Sequence, residues 1–248
     1  MIPLQDILPR RNPPIMTWLL IFANIIVFFY ELSLSSLERE FFFRTWGFIP
    51  ARFFNHYFSA LLGDPFYQKY LTLFTHLFIH GGWLHLIGNM WTLWIFGDNV
   101  EDRLGPFRFL IFYLFCGIFA TLFHAFIYKN SVTPLIGASG AISGVMGAYF
   151  IMYPLARIVI LVPIFFFPLF FEIPAFLYLG YWLLIQLYSG LFALALPDSF
   201  GGIAWFAHLG GFIFGALGYK FFCKKKCRFY QDEYGIFGSF FGIDRWNR

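Results

Sequence analysis

Residues 138–153 read Ala-Ser-Gly-Ala-Ile-Ser-Gly-Val-Met-Gly-Ala-Tyr-Phe-Ile-Met-Tyr. The stretch is apolar enough to enter a bilayer but short, and its three glycines and two serines would insert poorly alone. A transmembrane helix needs about 20 mainly apolar residues to cross about 30 Å of hydrocarbon, so this one must be packed among others. It is predicted as the central helix of a membrane bundle. Gly140, Gly144 and Gly147 fall beside Ser139 and Ser143 on a small-residue face suited to close helix contact.

Working outward, five further apolar stretches flank it: Ile15 to Leu34, Leu84 to Val100, Phe107 to Tyr128, Ile173 to Leu194 and Ile203 to Phe222. Of the 248 residues, 60% are hydrophobic and 12% charged, with mean hydropathy +0.69; a soluble domain carries about 25% charged residues. An ordinary soluble globule is excluded. The net charge of +4 is too weak and dispersed for a nucleic-acid footprint, so no nucleic-acid partner is expected. The fold expected is an all-α, polytopic bundle of six transmembrane helices in contact with the lipid bilayer. Residues 15–222 form its core, 1–14 an N-terminal tail and 223–248 a basic, aromatic C-terminal tail.

Charge bias orients the bundle, because Lys and Arg favour the cytoplasmic side. With six spans and both ends cytoplasmic, twelve of the seventeen basic residues lie inside, which supports that topology in a cell membrane. Ala156 to Phe171, broken by Pro163 and Pro168, is expected as a re-entrant or interfacial connection. The long segment Ser35 to Trp83 mixes Glu38, Arg39, Glu40, Arg44 and Arg52 with bulky aromatics, a pattern for amphipathic helices lying in the interface. Of the three cysteines, Cys223 and Cys227 flank Lys224, Lys225 and Lys226; free thiols are expected there, and the spacing permits palmitoylation.

Polar groups are costly in hydrocarbon and are functional by default when they lie inside a bundle. Here they are His76, His80, His85, His124 and His208, with Asn89, Ser139, Ser143 and Gln186. No carboxylate falls at the centre of a predicted span, which argues against a proton-coupled transporter. On the last span Gly211 and Gly215 lie within about 60° of the His208 direction, at about 100° per residue. Two glycine faces can therefore bring Ser139 and His208 together. A serine hydroxyl needs a base to become a nucleophile, and a neutral imidazole is such a base. His85 and Asn89, four apart on one helix face, could both donate hydrogen bonds to an oxyanion; the bland alternatives are helix packing for the serine and interhelical hydrogen bonding for the donors.

These residues carry a resemblance to the rhomboid family of intramembrane serine proteases. The motifs are His76-x3-His80-x4-His85-x3-Asn89, Glu101-x-Arg103, Gly137-x-Ser139-Gly140 and Ala207-His208-x-x-Gly211-x-x-x-Gly215, spread over a core of about Ile15 to Phe222. The resemblance implies Ser139 as nucleophile and His208 as general base, with transmembrane proteins as substrates and no cofactor or metal. It also implies an oxyanion site formed by His85, Asn89 and the Ser139 backbone N–H. It gives His80 and the Glu101–Arg103 pair structural roles. Many family members have Tyr four residues after the nucleophile, stacked on the imidazole; this chain has Ser143. Ser143 is expected either to hydrogen-bond near His208 or to leave room, with Trp205 or Phe206 packing the ring. No acidic third member is evident, since Asp98, Glu172 and Asp198 fall at interfaces, so a dyad is expected. The site should open outward, with the fifth span flanking a lateral gate. Two rivals are an inactive relative acting as a chaperone or trafficking factor, and a metal site on His76, His80 and His85.

Overall fold

The computed structural model describes residues 1–61, 63, 65–164, 167–195 and 204–223. A strand β1 (Ile2–Asp6) precedes α1 (Ile15–Ser33). Four short helices follow, α2 (Ser36–Trp46), α3 (Pro50–Phe54), α4 (His56–Leu61) and α5 (Gln68–Thr75), and a 3-10 turn at His76–Phe78. Then come α6 (Trp83–Leu104), α7 (Pro106–Ile127), α8 (Ser139–Met152), strands β2 (Arg157–Ile164) and β3 (Phe167–Pro174), α9 (Ala175–Ala195) and α10 (Trp205–Phe222). The helix boundaries follow the hydropathy pattern closely; Ile203, the expected start of the last stretch, and residues 224–248 of the expected tail lie outside the described residues.

Local chemistry sets these boundaries. Ser35 and Glu38 form a reciprocal capping box at the start of α2, satisfying two orphan backbone donors. The first N–H groups of α1 have no cap from their own sequence, because the preceding residue is Pro14. Glu101, 2% exposed on α6, takes that place: its carboxylate accepts from Met16 N (2.8 Å), Thr17 N (2.7 Å) and Thr17 Oγ1 (2.8 Å). An anion at a helix N-terminus is favoured by both the free donors and the helix dipole. Arg103 Nε donates to Tyr153 Oη at 3.0 Å, tying the end of α6 to the end of α8.

By length and composition three of the helices, α1, α7 and α9, are long and apolar enough to cross a membrane, and α8 is a shorter apolar helix. α1, α7 and α9 turn large apolar side chains outward, among them Phe22, Ile26, Phe115, Phe126, Leu184 and Leu191. α8 is enclosed instead, with every residue from Gly140 to Tyr149 buried. A Cβ on Gly144 would strike Cys116 of α7, one on Gly211 would strike Gly140 O, and one on Gly215 would strike Gly144 O. The glycines thus bring α8 and α10 into backbone contact, where van der Waals packing supplies the cohesion.

The all-helical expectation needs one correction. β1, β2 and β3 form a three-stranded antiparallel sheet in that order, so Arg157–Ile164 and Phe167–Pro174, within and beyond the expected connection, are paired strands, and residues 2–6 of the expected N-terminal tail are a docked strand. The β2–β3 register runs from Arg157 opposite Pro174 to Ile164 opposite Phe167, and β1 places Ile2 opposite Leu161 and Asp6 opposite Ile158. Arg157-Ile-Val-Ile-Leu-Val-Pro is dense in β-branched residues, which suit a pleated surface. Pro163 and Pro168, which would break a helix, oppose each other in this pairing. Cys116 is a free buried thiol, whereas Cys223 is disulfide-bonded, contrary to the free thiol expected there.

The sheet is anchored by a carboxyl group. Asp6 Oδ2 accepts from Tyr149 Oη (2.6 Å) and Asn99 Nδ2 (2.7 Å). Burial, reinforced by the nearby Asp98 and opposed by the Tyr149 hydrogen bond, pushes the Asp6 carboxyl up to about 7, against roughly 3.9 in an unfolded chain. A raised value means that the folded chain holds a proton the unfolded chain has released. Stability from this group is therefore full below pH ~4, falls as pH rises toward about 7, and is absent above. Asp6→Asn, which keeps an acceptor for both donors and carries no charge, should unfold at a higher temperature than wild type at pH 8 and about equally at pH 4. Parallel melting curves for the two proteins across that range would contradict the assignment.

Candidate active site

Ser139 is the first residue of α8, which positions its side chain and its backbone together. Its backbone N–H belongs to the helix's opening turn, whose donors have no intrahelical acceptor; the first helical bond here is Ile142 N to Ala138 O. The preceding turn depends on Gly137, whose φ of +117° lies where side chains are strained. Its N–H donates to His76 O at 2.9 Å, which fixes the loop against the 3-10 turn.

The glycine contacts between α8 and α10 bring the two distant residues into register. His208 Nε2 lies 2.8 Å from Ser139 Oγ, and both residues are partly exposed. Ser143 is buried and turned into its own helix, donating to Ser139 O at 2.6 Å; of the two expectations, a hydrogen bond near His208 is replaced by one along α8. The imidazole instead meets two indoles. Trp205 stands edge-on at 6.4 Å between ring centroids, and Trp182 of α9 lies tilted at 6.0 Å. Phe206 packs toward Tyr128 and plays no part in this stack.

Sequence reasoning singled out one further polar residue of the bundle but gave it no partner. Gln186 of α9, 6% exposed, places Oε1 2.7 Å from His208 Nδ1. The available signal was an amide in an apolar helix, four residues after Trp182 and so on the same face. Pattern alone could not say which neighbour that face meets.

His85 and Asn89 approach the serine from α6. A Cβ added to Gly137 would lie 2.6 Å from His85 Nε2 and 3.7 Å from Asn89 Nδ2, so both groups converge on the turn before Ser139. Gly81 N–H points at His85 Nδ1 at 3.4 Å, a long contact that favours the tautomer with a proton on Nε2, facing the site. Asn89 Nδ2 donates to His80 Nε2 at 2.9 Å, leaving its second N–H for another acceptor. A cavity of about 840 Å³ joins them, lined by Gly81, Trp83, His85, Asn89, Ile136, Ser139 and His208 among others. Its walls are largely apolar.

The other histidines of the run have separate partners. His76 donates through Nδ1 to Thr72 O (2.7 Å), with Nε2 2.8 Å from Thr121 Oγ1; Glu31 accepts from the His80 backbone N–H at 3.2 Å. Among the described residues no group of three or more His, Cys, Asp or Glu side chains is arranged to hold a metal ion. His124 lies tilted against Tyr128, and Asp198 lies outside the described residues.

Apolar helices closed around a buried glycine contact, with a Ser–His pair at its end, define a class of helical membrane protein that carries a polar site within its bundle. The family model for the rhomboid domain matches residues 67–225, and the chain belongs to the rhomboid family. It is 29% identical over 178 residues to "Rhomboid protein 1, mitochondrial" of Saccharomyces cerevisiae, an alignment covering 70% of this chain and 47% of that one. It is 32% identical over 140 residues to "Rhomboid protease GluP" of Bacillus subtilis, covering 56% and 25%. Against "Rhomboid-like protein 11, chloroplastic" of Arabidopsis thaliana it is 34% identical over 123 residues, covering 49% and 40%. The chain thus spans less than half the length of these three curated relatives.

Proposed function

We propose that this chain is an intramembrane serine endopeptidase, cleaving peptide bonds in or next to the transmembrane segments of membrane proteins. The observation that carries the reading is the 2.8 Å contact between Ser139 Oγ and His208 Nε2. As Oγ attacks the scissile carbonyl carbon, its proton passes to Nε2 and the carbonyl electron pair moves onto oxygen. His85 Nε2–H, the second N–H of Asn89 and the Ser139 backbone N–H receive that oxyanion; one such donor is worth roughly 10²–10³ in rate. His208 then protonates the leaving nitrogen as the C–N bond breaks. Water, giving its proton to Nε2, attacks the acyl-enzyme; His208 returns that proton to Ser139 Oγ, releasing the second product.

Six spans complete this reading. α6, α8 and α10 lack the length or the hydropathy of the other three, and all three contribute residues to the site; α8 is enclosed by its neighbours, while α6 and α10 each keep an apolar outer face, with Leu84, Ile87, Leu217 and Phe221 exposed. Residues 15–222 then form the core, with both ends on the Lys/Arg-rich side and the long segment 35–83 at the opposite interface. Ser139 and His85 stand at matching ends of α8 and α6, which lets water reach the pair from one side. An inactive relative would be expected to lack one of the pair, and both are present.

The test uses the full chain reconstituted in liposomes with a single-span substrate. Cleavage should occur and persist in chelator, and a fluorophosphonate probe should phosphonylate Ser139 with loss of fluoride, located by peptide mass spectrometry. A folded preparation that neither cuts several substrates nor takes the label would overturn the reading and favour the chaperone-like alternative.

A further inference from the structure

The imidazole of His208 is gripped on both nitrogens. An amide carbonyl oxygen can only accept a hydrogen bond, so Gln186 Oε1 at 2.7 Å requires the proton on Nδ1. A neutral imidazole has one N–H and one lone pair, which leaves the lone pair on Nε2, directed at Ser139 Oγ at 2.8 Å. One turn earlier on α9, Trp182 covers the ring at 6.0 Å and an interplanar angle of 37°. The residue that could have oriented the ring from α8, Ser143, is occupied by Ser139 O.

We propose that Gln186 is a positioning residue that selects the Nδ1–H tautomer of His208 and braces the imidazolium formed when Ser139 gives up its proton. This rests on the serine-protease reading and deepens it. The third member is a neutral amide rather than a carboxylate, in keeping with a setting where a buried unpaired charge is expensive. The grip comes from α9, while the nucleophile and base stand on α8 and α10, so the tautomer depends on how α9 is seated.

Two measurements separate the positioning role from a packing role. With histidine labelled in ¹⁵N, wild type should show a protonated Nδ1 and an unprotonated Nε2 for the resonance that His208→Asn removes, and Gln186→Met, similar in length but without the acceptor, should show mixed tautomers. In cleavage assays Q186M should lower kcat by about 10–100-fold with KM unchanged, by analogy with the losses seen when a metal-bound imidazole loses its orienting partner. Gln186→Glu, close in shape, should retain turnover and move the acid limb of the pH–rate profile to higher pH, because a carboxylate favours the imidazolium. The other titratable groups whose influence reaches His208 are His85 of α6 and His124 of α7, and both are common to all variants. An unchanged tautomer and kcat in Q186M, or an unmoved acid limb in Q186E, would overturn the proposal. A wild type that cleaves nothing yet shows the Nδ1–H tautomer that Q186M loses would strike the protease reading and leave the positioning contact standing.

Discussion

Replacing Ser139 with alanine is expected to lower cleavage by roughly 10⁴–10⁶-fold, and adding His208→Ala to that variant is expected to cost almost nothing more. A nucleophile and its base act as one unit, so the second removal finds nothing left to activate. The 2.8 Å contact makes this unit specific to two side chains on different helices. Ser139→Ala removes one hydroxyl and leaves the Ser139 carbonyl in place for Ser143, so the fold should survive with an unchanged melting temperature. Single-turnover cleavage of a transmembrane substrate by the two single variants and the double variant measures the effect. Losses that multiply would show that the two residues act independently, contrary to a shared proton transfer.

The second large effect concerns a residue that touches no substrate. In Gly215→Ala the new methyl meets the carbonyl oxygen of Gly144, backbone on backbone, with no flexible side chain to yield. α8 and α10 must then part, at a cost of about 1–3 kcal/mol for an overpacked contact. Ser139 and His208 ride on those helices, and a displacement of about 1 Å at a reacting pair can cost about 10²-fold in rate. Gly180→Ala on α9, where nothing lies within 4 Å of the added carbon, is the matched control. It should be neutral or slightly stabilising, since alanine is the better helix former. Equal melting temperatures and equal cleavage rates for the two variants would refute the packing argument.

The helices were legible in the sequence because hydropathy reports them directly, and the ends of α7 and α8 fall within one residue of the apolar runs. The sheet was not, since Ile158, Val159, Ile160 and Val162 are as apolar as a span and only their branching and the two prolines hint at strands. Asp6 looked like part of a tail because its partners, Asn99 and Tyr149, are about 90 and 140 residues away. The Ser139 and His208 pairing could be argued from glycine spacing, which is a local pattern on each helix. Gln186 could not be assigned, because nothing in its own turn of helix reveals that the face shared with Trp182 meets an imidazole rather than lipid.

The sheet also bears on how the molecule is made. Strand β1 emerges before α1, yet its hydrogen-bonding partner β2 follows about 150 residues later. At roughly 5–20 residues per second, the first strand must wait on the order of 10–30 s for its mate to emerge. Pairing between such remote segments is entropically slow, so the seam closes only after α8 has been delivered to the bilayer. The β1–β2 seam is therefore a long-range clasp, joining a strand ahead of α1 to one made only after α8.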